Sequence, residues 1–228
     1  MAALLLLAVC GPGAAHASTC YGTPEQGRLA DGVPLPLSGN NFAAYSSWGV
    51  DAGRTHVHDR VRQVVLDAYA GLEQTSPGKR YVYGETGLAH GGAFHPHRSH
   101  QNGLSVDFMV PVLDDGNRSV PLPSSPENKF GYAFEFDNQG RIPGFRIDFA
   151  AVAEHLHQVS IAARRHGLSI ERVIFDPPLM SKLFATGVHG AELKRLPFMK
   201  NRPWIRHDEH YHIDFGVRCR PLRDYRTS

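Results

Sequence analysis

Residues 104–110 alternate without a break: Leu104, Val106, Phe108 and Val110 are set against Ser105, Asp107 and Met109. A period of two is that of a half-buried strand, so Asp107 projects from the face opposite the apolar stripe. Residues 211–217 repeat the pattern, with Tyr211, Ile213 and Phe215 directed into a core. His210 and His212 then share the other face, about 6.6 Å apart for a two-residue step. Any fold for this chain must therefore cover two strands whose outer faces carry ionisable groups.

The cover comes from two helical patterns. Val57, Val61, Val64, Val65, Ala68 and Leu72 recur at helical spacing over 56–73, and the run breaks at Thr75-Ser-Pro-Gly78. Phe149, Val152, Leu156, Val159 and Ala163 form a second stripe, with Asp148 placed to cap it and Gly167 to close it. Further strands are expected at 80–83 and 170–175, a hairpin between 132–136 and 141–147, and a short helix over 178–185. Residues 86–103, the proline-rich 111–129 and 190–203 read as loops, in keeping with 23 glycines and 16 prolines. No repeat or linker divides the 228 residues. The expectation is one α+β domain over 56–228, with a small, mostly antiparallel central sheet flanked by helices and long loops. Residues 18–55 read as an extended segment wrapped around it.

Hydrophobic residues at 42% and charged residues at 20% suit a folded chain, and a formal charge of +2 gives no reason to expect nucleic acid as a partner. Nothing in the sequence fixes an oligomeric state. The apolar N-terminus is too short, at about ten residues, to span a bilayer. With Ala15-His16-Ala17 as a small-x-small cleavage site, residues 1–17 read as a secretory signal peptide. The mature chain is then expected to be exported to the periplasm with no integral membrane segment. Cleavage removes Cys10 and leaves Cys20 and Cys219, able to form one disulfide in an oxidising compartment. A lipid anchor on Cys10 is the rival reading, disfavoured by Val9 before it.

Fourteen histidines are present, and six fall in two stretches: His95, His97 and His100 ahead of Asp107, and His207-Asp-Glu-His210-Tyr-His212. Two neutral imidazoles and a carboxylate are a borderline N/O set that suits Zn²⁺, and three protein ligands leave a fourth position for water. A further histidine beside such a centre is free to relay a proton or stabilise an oxyanion. A non-catalytic zinc or copper binder also fits the composition. His56, His58, His155, His157 and His166 read as ordinary core or surface residues.

The two stretches resemble the penicillin-insensitive murein endopeptidases, within the metallopeptidase group that includes lysostaphin, the D-alanyl-D-alanine peptidases and the hedgehog N-terminal domain. The shared pattern is His100-x6-Asp107 with a later His210-Tyr211-His212. More specific are Pro96-His97-Arg-Ser-His-Gln-Asn-Gly-Leu104 and Arg202-Pro-Trp204 leading to His207. The resemblance implies that His100, Asp107 and His212 bind one zinc, that His210 is catalytic, and that His97 and His207 support it. It implies peptidoglycan stem peptides as substrate, cut at D-alanyl-diaminopimelate cross-links. Ser105, where an acid is frequent, and Asp214, where a basic residue is common, depart from the pattern. A zinc D,D-carboxypeptidase would use the same centre, and a non-catalytic zinc module is the reading from another class. Ser76-Pro-Gly-Lys79 has the spacing of a penicillin-binding serine motif, with Ser38-Gly-Asn40 as a possible second element, but no Lys-Thr-Gly follows.

Overall fold

A computed structural model describes residues 17–201 and 203–226. The leader reading, with Cys10, thus lies outside the described residues up to residue 16, and so does Arg202. The chain enters as a hairpin of β1 (Thr19–Gly22) and β2 (Gly27–Ala30). Then come β3 (Val33–Pro34), β4 (Phe42–Ala44), α1 (Ser47–Asp51) and β5 (His56–Val57), with β3 paired to β5. The stretch expected only to wrap also supplies β4 to the edge of the main sheet, parallel to β6 (Tyr81–Tyr83).

The first long helix, α2, spans Asp59–Thr75 and begins later than its apolar pattern. Residues 56–57 are held in a strand, and the His58 ring nitrogen accepts from the Arg60 N–H at 3.2 Å, which caps the helix. The main sheet continues with β7 (Ser105–Met109). A smaller sheet contains β8 (Val112–Asp114), β9 (Ser119–Val120), β10 (Arg141–Ile142) and β11 (Phe145–Ile147) in the order β10–β11–β8–β9. Two expectations fail here. Residues 111–129 hold two strands because Pro111 and Pro121 flank them and remove no ladder donor. Residues 132–136 form no strand, and the 141–147 hairpin pairs with β8 instead.

The second long helix, α3 (Phe149–Arg165), is capped as expected, Asp148 accepting from the Ala151 N–H at 3.1 Å. After it come β12 (Ser169–Ile174), α4 (Pro177–Ala185), the single turn α5 (Gly190–Leu193) and β13 (His210–Gly216). The main sheet has the order β12–β13–β7–β6–β4 and is antiparallel except at β4.

Val64, Ala68 and Leu72 of α2 and Val152, Leu156 and Val159 of α3 share one buried core with Val106, Phe108, Tyr211, Ile213 and Phe215 of the sheet. His155 lies within that core, where its Nδ1 accepts from the Tyr211 hydroxyl at 2.7 Å and burial pushes it down to about 3, so it stays neutral. The result is a single α+β domain with helices on one face of the sheet and the ionisable groups on the other. Cys20 and Cys219 are joined by a disulfide across 199 positions, tying β1 to the chain end.

Candidate metal centre and cleft

The register of β7 against β13 decides the site. Asp107 lies directly opposite His212, and Ser105 opposite Asp214. The His212 Nδ1 is 2.9 Å from Asp107 Oδ1, while its Nε2–H donates to Asp214 Oδ1 at 2.8 Å. Ser105 donates to that same Asp214 oxygen at 2.5 Å, and Arg172 holds the other at 2.6 Å.

His100 arrives from the loop before β7 in a left-handed conformation, φ 68°, followed by Gly103 at φ 76°. Its Nδ1–H donates to the Thr86 carbonyl at 3.1 Å. Its Nε2 is buried, has no hydrogen-bond partner among the described residues and lies 3.3 Å from Asp107 Oδ1. An orphaned imidazole nitrogen aimed at a buried carboxylate is what a metal ligand looks like when its second nitrogen is already engaged.

The remaining histidines converge on the same carboxylate. His97 donates from Nε2 to Glu85 at 2.6 Å and turns Nδ1 to within 3.7 Å of Asp107 Oδ2. The ligand atoms of His97, His100 and Asp107 all lie within 4.8 Å of one another. His210 is anchored through Nδ1 to Glu209 at 2.8 Å and brings Nε2 to 3.8 Å from Asp107 Oδ2. The His207 Nδ1–H donates to the Ile205 carbonyl at 2.9 Å, and its ring centroid lies 4.6 Å from that of His210. The five imidazoles expected at the site are thus each held from behind by an acceptor, and the structure brings them and Asp107 into one cluster, while His95 of the first stretch lines the cleft beside it.

Charge follows from these contacts. Burial opposes ionisation of Asp107, yet His100, His210 and His212 outweigh it and hold the carboxyl well below its usual range. Burial also favours neutral His212, but Asp214 and Asp107 push it up to about 10. For His210 the Glu209 and Asp107 charges overcome burial and raise it, whereas burial and His210 push His207 down to about 3. The two adjacent imidazoles are therefore pushed in opposite directions.

Four contributors carried no sequence signal. Glu85 holds His97 and also pairs with Arg54 and the Tyr45 hydroxyl. Tyr132 donates to Asp107 Oδ2 at 3.1 Å and accepts from the Glu85 N–H at 2.8 Å. The strand alternation that exposes Asp107 says nothing about these residues, which reach the site from loops. Around the cluster opens a cleft of about 800 Å³, whose lining includes Trp48, Phe130, Trp204 and Ile205. By contrast, Ser76 follows the C-terminal end of α2, and Lys79 is paired with Asp148. A serine nucleophile of the penicillin-binding type needs the start of a helix, so that reading is excluded.

A family model for penicillin-insensitive murein endopeptidases matches residues 20–223, most of the chain. The chain belongs to that family. A sequence search of curated proteins finds no match. Membership makes the protein a peptidase that acts on peptidoglycan, in place of a purely binding module, and points to action at the cell wall or in the periplasm. Its candidate metal-binding groups include the His/Asp cluster of the cleft. Among the described residues no helix is long and apolar enough to cross a membrane.

Proposed function

We propose that this family member is a zinc-dependent D,D-endopeptidase, exported to the periplasm, that cuts D-alanyl-diaminopimelate cross-links between peptidoglycan stem peptides. The observation that carries the metal reading is the unpartnered, buried Nε2 of His100 facing Asp107. His100, Asp107 and His212 would hold one Zn²⁺. Although His97 also comes near, its better-held nitrogen faces Glu85, and the Asp214 carboxylate behind His212 is the usual outer partner of a ligating imidazole. Bound zinc would supply a water whose pKa is lowered to about 7.

The chain's own residues do the rest. His210, held by Glu209 and raised toward its charged form, stabilises negative charge developing on the scissile carbonyl and donates a proton. His207, kept neutral at its side, accepts one. Glu85 fixes His97 against the same pocket. Arg98, with its guanidinium 5.5 Å from the Trp204 ring, offers a cation to a stem-peptide carboxylate. A cleft of about 800 Å³ has the size to take chain beyond the scissile bond, which supports a cross-link over a terminal D-Ala. The Cys20–Cys219 disulfide suits an oxidising compartment.

The test is hydrolysis of purified cross-linked muropeptide dimers with masses of the products. Monomers should appear, chelation should stop the reaction, zinc should restore it and β-lactams should leave it untouched. Release of terminal D-Ala alone would establish the carboxypeptidase instead, and undiminished turnover after chelation would refute the metal reading.

A further inference from the structure

On the helical side of the sheet a second group of metal-ligating side chains stands apart from the cleft, none of its members lining it. The ligand atoms of His157, His189 and Glu192 lie within 4.8 Å of one another. His157 donates from Nδ1 to Glu192 Oε2 at 2.6 Å, and His189 donates from Nε2 to Glu154 Oε2 at 2.6 Å. Glu154 and His157 sit one turn apart on α3, while His189 and Glu192 open α5, so two imidazoles and two carboxylates face each other across the junction. We propose that these four residues form a second divalent-cation site, of the borderline type that Zn²⁺ fills, which fastens α5 to α3.

Three features point to a cation. Each carboxylate is steadied at its other oxygen, Glu154 Oε1 by Gln158 at 2.9 Å and Glu192 Oε1 by Arg164 at 3.3 Å. This leaves one oxygen of each turned to the imidazoles, as outer partners orient the ligands of a metal. Two carboxylates with two neutral imidazoles also balance the charge of a divalent ion. Finally, His189 is held in the left-handed region at φ 49°, where a non-glycine residue is strained, and such strain gathers at ligand sites. The two rings now stack at 3.6 Å and 10°. Parallel rings cannot aim both lone pairs at one point, so binding must splay them by rotation about their Cβ–Cγ bonds, each ring's N–H proton passing to its other nitrogen so that both imidazoles bind neutral. What the site would secure is the start of the segment that pairs Phe198 with Val173 and continues to Trp204 on the cleft wall.

The full chain, stripped with chelator, is titrated with Zn²⁺ by calorimetry and its bound metal counted. Wild type should take two equivalents. His189→Asn, which removes the imidazole while tolerating the left-handed backbone, should take one, and Glu192→Gln should lose the same equivalent. Both variants should keep the wild-type hydrolysis rate at saturating zinc. A fall from one equivalent to none would support this site while refuting the metal reading of the cleft. If His189→Asn and Glu192→Gln bind as much zinc as wild type with unchanged affinity, or the wild type binds none, the second site does not exist.

Discussion

Replacing Tyr132 by Phe removes one oxygen from the cleft and nothing else, so its cost can be worked out from the contacts. The half-buried side chain keeps its ring toward the cleft and its hydroxyl inside, donating to Asp107 Oδ2 at 3.1 Å and accepting from the Glu85 N–H at 2.8 Å. Burial and the charges of Asp107 and Glu85 raise the phenol well above its usual range, so it remains a donor at any working pH. Loss of a hydrogen bond to an ionised acceptor costs about 1.5–3 kcal/mol, and the stranded Glu85 N–H about 1–3 kcal/mol more. Part of this falls on folding, visible as a lower melting temperature of the chelated protein. The part that falls on Asp107 as a ligand should weaken zinc binding by about 10–100-fold, the usual worth of an outer hydrogen bond. Competition against a chromophoric chelator measures that affinity, and hydrolysis at saturating zinc then separates metal loss from chemistry. KM should change little because the ring stays. If Tyr132→Phe holds zinc as tightly as wild type and melts at the same temperature, the hydroxyl does not position Asp107 and the reasoning fails.

The two histidines of the His-Tyr-His segment should separate cleanly. His212→Ala should lose metal and activity together, whereas His210→Ala should keep its zinc and turn over about 10²–10⁴-fold more slowly; metal analysis beside hydrolysis rates would show reversed roles at once. Cys219→Ser opens a loop closed across 199 positions, which the chain-entropy model values at about 5 kcal/mol. Denaturant melts should show a loss of that order, with the linked peptide pair in the wild type confirmed by non-reducing mass spectrometry.

What could be read in advance was what repeats at short period. The alternation along β7 and β13 placed Asp107, His210 and His212 on one side and Phe108, Tyr211 and Ile213 on the other, and both are so. Asp148 caps α3 because a carboxylate ahead of an apolar stripe has that local use. What escaped depends on loops. Tyr132 reaches Asp107 after three successive residues with positive φ, Lys129 at 50°, Phe130 at 58° and Gly131 at 99°, a path that no propensity scale favours. It also needs Gly84, since a Cβ there would meet both the Tyr132 hydroxyl and Asp107. Likewise His157 has the spacing of a helix-surface residue, and only the fold sets it against His189.

The same limit explains the two departures from the family pattern, which look independent along the chain. Ser105 and Asp214 are cross-strand partners, so a change at one is felt directly at the other. Where an acid and a basic residue would face each other, this chain has a hydroxyl donor facing a carboxylate. The negative charge here stands on β13, 2.8 Å from His212 Nε2, and Arg172 of β12 balances it. Burial alone would disfavour an ionised Asp214, yet His212, Arg172 and Ser105 together hold it well below the ordinary carboxylate range. Asp214 therefore supplies a fixed acceptor behind one imidazole of the cluster. A departure that reads as doubt in one dimension is, across the ladder, a paired substitution that orients the site.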